Sequence, residues 1–220
     1  MTTNALRRQL PLLVLAGALA VPAGATAFAA HTTTPPASTP STSERGLRET
    51  MRKLWTDHVI WTREYVVAAV AGTPDAAAAA TRLLRNQEDI GNAVVPFYGR
   101  QAGDRLTALL KEHITIAVDL IAAAKSSNQP GFDAANRKWN QNASEIASFL
   151  AKANPNWPAA ALTEAMNMHL ETTRREVVAR LQKNYEEDVR AFDAVFEHIL
   201  HMADVLSDGI VKQFPEKFAE

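Results

Sequence analysis

The sequence predicts an all-α protein, an up-and-down bundle of about six helices made of three αα-hairpin repeats of about 56 residues. Three observations favour this fold. Apolar residues recur at helical spacing, turn-forming residues separate the apolar stripes, and the sequence matches itself at an offset of 56. Alanine-rich stretches and only 9 glycines in 220 residues also favour helix over sheet.

The N-terminal residues are predicted to direct export rather than to join the fold. Arg7 and Arg8 precede an apolar stretch over 10–21, and Ala27-Phe28-Ala29 offers the small-x-small site that signal peptidases cut. We therefore expect a signal peptide over 1–29 and a secreted, periplasmic or cell-envelope protein. An uncleaved membrane anchor is the alternative, but the apolar run is short for a span, so no stable insertion is expected after cleavage.

A Pro/Thr/Ser-rich tether is predicted over 30–44, because this composition has little to bury. The helical domain is expected over 45–220. The net charge of −1 provides no basic field for nucleic acid, so nucleic acid is not an expected partner. The chain contains no cysteine, which excludes a disulfide framework.

Two apolar stripes have the period of core-facing helices. One contains Met51, Trp55, His58, Thr62 and Val66, and the other contains Leu106, Leu110, His113, Ala117 and Leu120. Turn signals at 72–75, 96–103, 126–131, 154–158 and 183–184 divide the chain. The six expected helices cover 46–71, 75–95, 103–126, 132–153, 159–182 and 185–213.

The repeat carries polar residues at equivalent positions. At an offset of 56 His113 matches His169, and His58 precedes His113 by 55. Two further series occur on the second helix of each repeat: Asn86, Asn142 and His198, and Asp89, Glu145 and His201. At 1.5 Å per residue, the histidine and the acidic or second histidine position of each hairpin lie about 24 Å from its turn. Up-and-down packing would gather these groups into one layer.

Burying such a layer without partners costs about 1–3 kcal/mol for each unpaired group, and more for a carboxylate. Imidazole and carboxylate are ligands of transition metals, so we expect a divalent ion (Fe, Mn, Zn or Cu) that is bound, stored or sensed rather than used in catalysis. The predicted ligands are His58, Asp89, His113, Glu145, His169 and His201. Asn86, Asn142, His198 and Asp204 are expected to support these ligands or to serve in reserve.

Three alternatives stay open at this point. The layer could be a hydrogen-bonded network in a scaffold or interaction module, with Arg63, Arg82, Arg174 or Lys138 neutralising the carboxylates. Aromatic residues could instead line a pocket for haem or an apolar ligand; these are Trp55, Trp61, Phe97, Tyr98 and Trp139. A metalloenzyme is the third, although the sequence contains no His-Glu-x-x-His helix or glycine-rich phosphate loop.

Overall fold

The computed structural model describes residues 43–218, which form five α-helices and a short 3-10 helix. The elements are α1 (Glu44–Ala71), α2 (Ala76–Lys125), α3 (Gln129–Ala153), α4 (Ala159–Leu181), α5 (Tyr185–Gln213) and the 3-10 turn Pro215–Lys217. The all-α class is confirmed. The predicted signal peptide, and the predicted tether as far as residue 42, lie outside the described residues.

Short polar residues and one glycine define several helix ends. The Ser43 hydroxyl accepts a hydrogen bond from the Gly46 amide at 3.0 Å, and Asn128 and Asn184 cap α3 and α5 in the same way. Helix α1 ends at Gly72, whose φ of 76° is the left-handed conformation that glycine adopts at low cost. The predicted turns at 72–75, 126–131 and 183–184 therefore coincide with helix ends.

Helix α2 differs from the expectation of two helices over 75–95 and 103–126. The structure has five helices in the described range rather than six, because the expected break reduces to one non-helical residue. Gly99 has φ 80° and ψ 166°, and Pro96 precedes it within the helix. Proline removes one backbone donor and glycine permits the positive φ, so the chain changes direction without a loop.

The two halves of α2 pack against each other on either side of Gly99. A Cβ atom placed on Gly91 would lie 2.7 Å from the Gly103 carbonyl oxygen, and one on Gly103 would lie 2.7 Å from the Gly91 carbonyl oxygen. The Thr107 hydroxyl donates to the Gln87 carbonyl at 3.4 Å. The backbones can approach this closely only because both positions are glycine.

The helices form a closed ring around one main core. Each helix packs on its neighbours in the chain, and α5 returns to pack on α1. Large buried side chains from all five helices fill the interior, among them Leu109, Leu170 and Ile199. No helix within residues 43–218 is long and apolar enough to cross a membrane.

The two ends of the bundle are closed by different chemistry. At one end Tyr98 packs against Trp157 and Phe214, with ring centroids 5.8 and 5.3 Å away. Toward the other end, Arg63 of α1 pairs with buried Glu176 of α4 and Asp188 of α5. His58 lies five positions before Arg63 on α1, which places it between the aromatic cluster and the ion pairs.

We predict that Gly91→Ala lowers the free energy of unfolding by about 2–3 kcal/mol, because the new methyl group would overlap the backbone at Gly103. Chemical denaturation measures the change. The neighbouring exposed substitution Asn92→Ala is the matched control and should stay within about 0.5 kcal/mol of the parent. A Gly91→Ala protein as stable as this control would contradict the close packing of the two halves.

Candidate metal site

Three histidines from three helices meet in the core. His58 of α1, His113 of α2 and His169 of α4 are 3%, 3% and 6% exposed. The ring centroid of His169 lies 5.8 Å from that of His58 and 5.9 Å from that of His113. His198 of α5 lies beside them, with its ring centroid 6.3 Å from that of His169. The structure thus brings together three of the predicted ligands and one of the predicted supporting residues.

The same three histidines border two cavities. Each cavity has a volume of about 30 Å³, and His58, His113 and His169 contribute to the lining of both. The first cavity extends toward Trp157, and the second extends toward Thr62 and Thr173. The imidazoles therefore form a partition across the interior, with space on each side of it.

Asn142 fixes the protonation of His113. The Asn142 Nδ2 atom donates to the Leu109 carbonyl at 3.1 Å, so its Oδ1 atom must be the group that meets His113 Nδ1 at 2.8 Å. An amide oxygen only accepts, which places the ring proton of His113 on Nδ1. Its Nε2 atom then carries a lone pair, which is the form in which imidazole binds metals.

One contact recurs at the three positions that the offset of 56 predicts to be equivalent. The side chains of Asn86, Asn142 and His198 donate to the carbonyl groups of Leu54, Leu109 and Ala165, at 3.0, 3.1 and 2.9 Å. In each case the carbonyl belongs to the residue four positions before the buried histidine of the partner helix. Each contact thus joins two helical segments one turn away from a buried histidine.

Each of these imidazoles has a buried ring nitrogen without a hydrogen-bond partner. The atoms are His58 Nδ1, His113 Nε2 and His169 Nδ1, and none has a hydrogen-bond partner among the described residues. An unpaired buried polar atom costs about 1–3 kcal/mol. The combined cost of three such atoms is large compared with the free energy of unfolding of a typical protein, which is about 5–15 kcal/mol. This cost makes the cluster a candidate binding site.

Burial keeps these imidazoles neutral. It lowers the pKa of His58 to about 3, with the nearby charge of protonated His113 as the second cause. Burial also lowers the pKa of His113 to about 4, and the hydrogen bond to Asn142 opposes it. The pKa of His169 falls well below 6.5 because of burial and then its three histidine neighbours. At neutral pH no proton competes with a metal for the lone pairs.

The remaining predicted ligands lie away from the buried cluster. Asp89 is half-buried, Glu145 is exposed and accepts from Gln141 Nε2 at 3.1 Å, and His201 is exposed. Asp204, expected in reserve, pairs with Arg52 at 2.6 Å. Three residues turn a helix by about 300°, so side chains three positions apart point in directions that differ by about 60°. Asn86, Asn142 and His198 therefore take the inward direction, and the residue three positions later turns away.

Sequence reasoning missed a buried ion-pair network. Arg63 donates to Glu176 at 2.7 Å and to both oxygens of Asp188, at 2.9 and 3.1 Å, and Arg180 donates to Asp188 at 3.1 Å. Both acids are only 1% exposed. One signal for it was present, because Glu176 follows His169 by seven residues and so shares its helix face. Arg63 was one of four residues expected to neutralise the carboxylates in the scaffold alternative, and it pairs instead with these two acids.

No family model matches the chain, and no curated protein or solved structure shows significant similarity to it. Among residues 43–218, no three His, Asp or Glu side chains stand in the arrangement of a ready metal site. The candidate site therefore consists of His58, His113 and His169, whose unpaired ring nitrogens are available to a ligand.

Acid should unfold this protein steeply. The unfolded chain protonates its histidines below pH 6.5, whereas the three buried imidazoles stay neutral, so stability is lost as the pH falls toward their folded pKa values. Three protons are gained on unfolding near pH 5 and nearly one is released by Glu176, so we expect a slope of about 3 kcal/mol per pH unit.

The variant His58→Gln should reduce this slope by about 1.4 kcal/mol per pH unit, because one titrating group is removed. Urea denaturation at several pH values between 4.5 and 7 measures it. The exposed substitution His201→Gln is the matched control and gives the baseline slope. Equal slopes for the two variants would show that His58 is not held neutral by the fold.

Glu176 should have the opposite pH dependence to the histidines, because it stabilises the fold at low pH and not at high pH. Burial raises its pKa to about 7, although the hydrogen bond and charge of Arg63 oppose the rise, so the folded state holds this proton more tightly than the unfolded state. Its contribution to stability is lost as the pH rises from 4.5 to 7. Relative to wild type, Glu176→Gln should therefore gain on the order of 2–3 kcal/mol between pH 5 and pH 8.

Parallel denaturation of wild type and Glu176→Gln at pH 5 and pH 8 tests this. Glu145→Gln makes the same chemical change at an exposed position and provides the reference difference. A Glu176→Gln difference that matches the reference would mean that Arg63 keeps Glu176 ionised at both pH values.

Proposed function

We propose that this protein is an exported helical bundle that binds one transition-metal ion through His58, His113 and His169. The observation that carries the proposal is the set of three unpaired nitrogens, all buried and on neighbouring rings. Binding, storage or delivery of the ion fits this arrangement better than catalysis, because both cavities beside the histidines are enclosed and small. The predicted signal peptide is the basis for placing this activity outside the cytoplasm.

The distances support a shared ion. Imidazoles that ligate one ion at roughly 2.0–2.1 Å have ring centres roughly 5–5.5 Å apart. The two distances from His169 are 5.8 and 5.9 Å, so small movements would bring His169 to ligating separation from each of its two neighbours. Ligation also requires His58 and His169 to turn their nitrogens toward His113 Nε2, and the cavities on both sides of the rings leave space for that motion.

The hydrogen bond of Asn142 supports the same role. Metal-bound histidines generally donate their second ring nitrogen to a fixed acceptor, which sets the tautomer and orients the ring. Asn142 is such an acceptor for His113, and the Leu109 carbonyl holds it in place. In this proposal Asp89, Glu145 and His201 are not ligands, and His198 positions α4 against α5 through its bond to Ala165.

We also propose that the bundle consists of three copies of one helical hairpin. The repeated bond from Asn86, Asn142 and His198 to a carbonyl four residues before a histidine supports this. The break at Gly99 takes the place of an inter-hairpin loop, so the two halves of α2 belong to different copies. A three-fold origin would explain why one histidine comes from the first helix of each hairpin.

A scaffold with a buried polar layer is the second candidate function. The bonds from Asn86, Asn142 and His198 to backbone carbonyls fix the hairpins without any ligand, and this observation favours it. In this case water molecules in the cavities would satisfy the imidazoles, since about 30 Å³ exceeds the 10–15 Å³ that one water needs. Cavities of this size do not support the haem alternative.

Elemental analysis and thermal unfolding of the purified 43–220 domain, together with the full chain, separate the two functions. The metal-binding proposal predicts about one bound ion per chain, and a melting temperature that rises by about 5–10 °C at an ion concentration a hundred times its dissociation constant. A strong chelator should reverse that rise. Binding should disappear in His169→Gln and persist in His201→Gln and Glu145→Gln.

Two results would contradict metal binding. One is a wild-type protein whose melting temperature is indifferent to Zn²⁺, Cu⁺, Mn²⁺ and Fe²⁺, which would favour the scaffold. The other is loss of binding in His201→Gln with retention in His169→Gln, which would move the ion from the buried cluster to the exposed position.

A further inference from the structure

Three methionines share a cavity with the three histidines. Met51 of α1, Met166 of α4 and Met202 of α5 are buried, and all three line the first cavity together with His58, His113 and His169. Met168 is the fourth methionine within residues 43–218, and it is 50% exposed. Thioether sulfur is therefore concentrated on one side of the imidazole partition.

The first cavity has no charged lining. Its walls, all drawn from the described residues, contain the histidines, the methionines, two tryptophans and aliphatic side chains, but no Asp, Glu, Lys or Arg. In the second cavity the one charged side chain is Arg174, which donates to Glu171 at 2.5 Å. An ion bound at the partition would thus meet neutral ligands in surroundings of low dielectric constant.

The charge of an ion decides how well it tolerates such surroundings. The cost of desolvating an ion grows with the square of its charge, so a monovalent ion costs about a quarter as much as a divalent ion of equal size. An anionic ligand such as a carboxylate or a thiolate offsets part of this cost for a divalent ion. Glu145 and Asp89 do not line either cavity, and the chain has no cysteine.

Ligand softness leads to the same ion. Thioether sulfur is a soft donor that binds monovalent copper, whereas hard divalent ions such as Mn²⁺ prefer oxygen. Methionine has three rotatable side-chain bonds, so its sulfur can reach an ion near the wall that it lines. Neutral nitrogen together with neutral sulfur is therefore a donor set for Cu⁺.

We infer that the ion held at the partition is monovalent copper, bound by the three histidines on one side and by methionine sulfur from Met51, Met166 or Met202 on the other. This inference rests on the proposed function and names the ion. The reaction is a simple association, in which Cu⁺ leaves a carrier or chelator without change of oxidation state. The methionines distinguish copper from zinc, because zinc binding at the histidines gains nothing from thioethers.

Competition with a chromogenic Cu⁺ chelator under anaerobic, reducing conditions tests the inference on the full chain. Zn²⁺ binding is measured separately by competition with a zinc indicator. Wild type should bind Cu⁺ with a dissociation constant at least about a hundred times lower than that for Zn²⁺. X-ray absorption at the copper edge should show sulfur as well as nitrogen around the ion.

The variant in which Met51, Met166 and Met202 are all replaced by leucine removes the sulfurs and preserves side-chain volume. It should weaken Cu⁺ binding by about tenfold or more and leave Zn²⁺ binding unchanged. Unchanged Zn²⁺ binding also shows that the triple variant is folded. Met168→Leu is the matched control at an exposed position and should bind Cu⁺ as wild type does.

The outcomes separate this inference from the proposed function. If Zn²⁺ binds through His169 but the triple leucine variant keeps full Cu⁺ affinity, the metal site stands and its assignment to copper is overturned. If wild type binds neither ion, both are overturned. A copper spectrum with nitrogen neighbours alone would likewise overturn the role of the methionines.

Discussion

His58, His113 and His169 lose their hydration when the helices pack, and the surrounding residues are arranged to accommodate them. The charged form of each ring is excluded by burial, so the cluster avoids the repulsion that three imidazolium ions would create. Asn142 satisfies one of the six ring nitrogens and thereby defines the direction of a lone pair. The ion-pair network lies farther along the bundle, where Arg63 and Arg180 face the buried acids Glu176 and Asp188.

The bonds of Asn86, Asn142 and His198 give the bundle its regularity. Each joins a side chain to a carbonyl that is already part of a helix, and such carbonyls have a second lone pair to offer. The bond therefore links two helices without disturbing either helical ladder. Because it lies one turn from a histidine, it also fixes the height at which that histidine enters the core.

Periodicity and self-similarity were enough to predict the helical class, most helix ends and the meeting of three histidines. The offset of 56 predicted that Asn86, Asn142 and His198 are equivalent, but it did not predict the carbonyls that they bind. The direction of the Glu145 and His201 side chains could not be derived. Side chains three positions apart on a helix differ in direction enough for one to be buried and the other exposed at the edge of a core. The pairing of Arg63 with Glu176 was also hidden, since 113 positions separate them. Gly99 was expected in a loop over 96–103. The sequence did not predict that Gly99 alone would leave the helical conformation, with a positive φ.

The enclosure of the two cavities affects rates as well as equilibria. Neither cavity opens broadly to solvent, and the aromatic cluster of Tyr98, Trp157 and Phe214 covers one end of the bundle. A small molecule or ion reaches the imidazoles only when helices separate briefly, so exchange follows the frequency of that opening and not the speed of diffusion. Residence inside the bundle can then be long even where affinity is modest, and release depends on whatever loosens the helices.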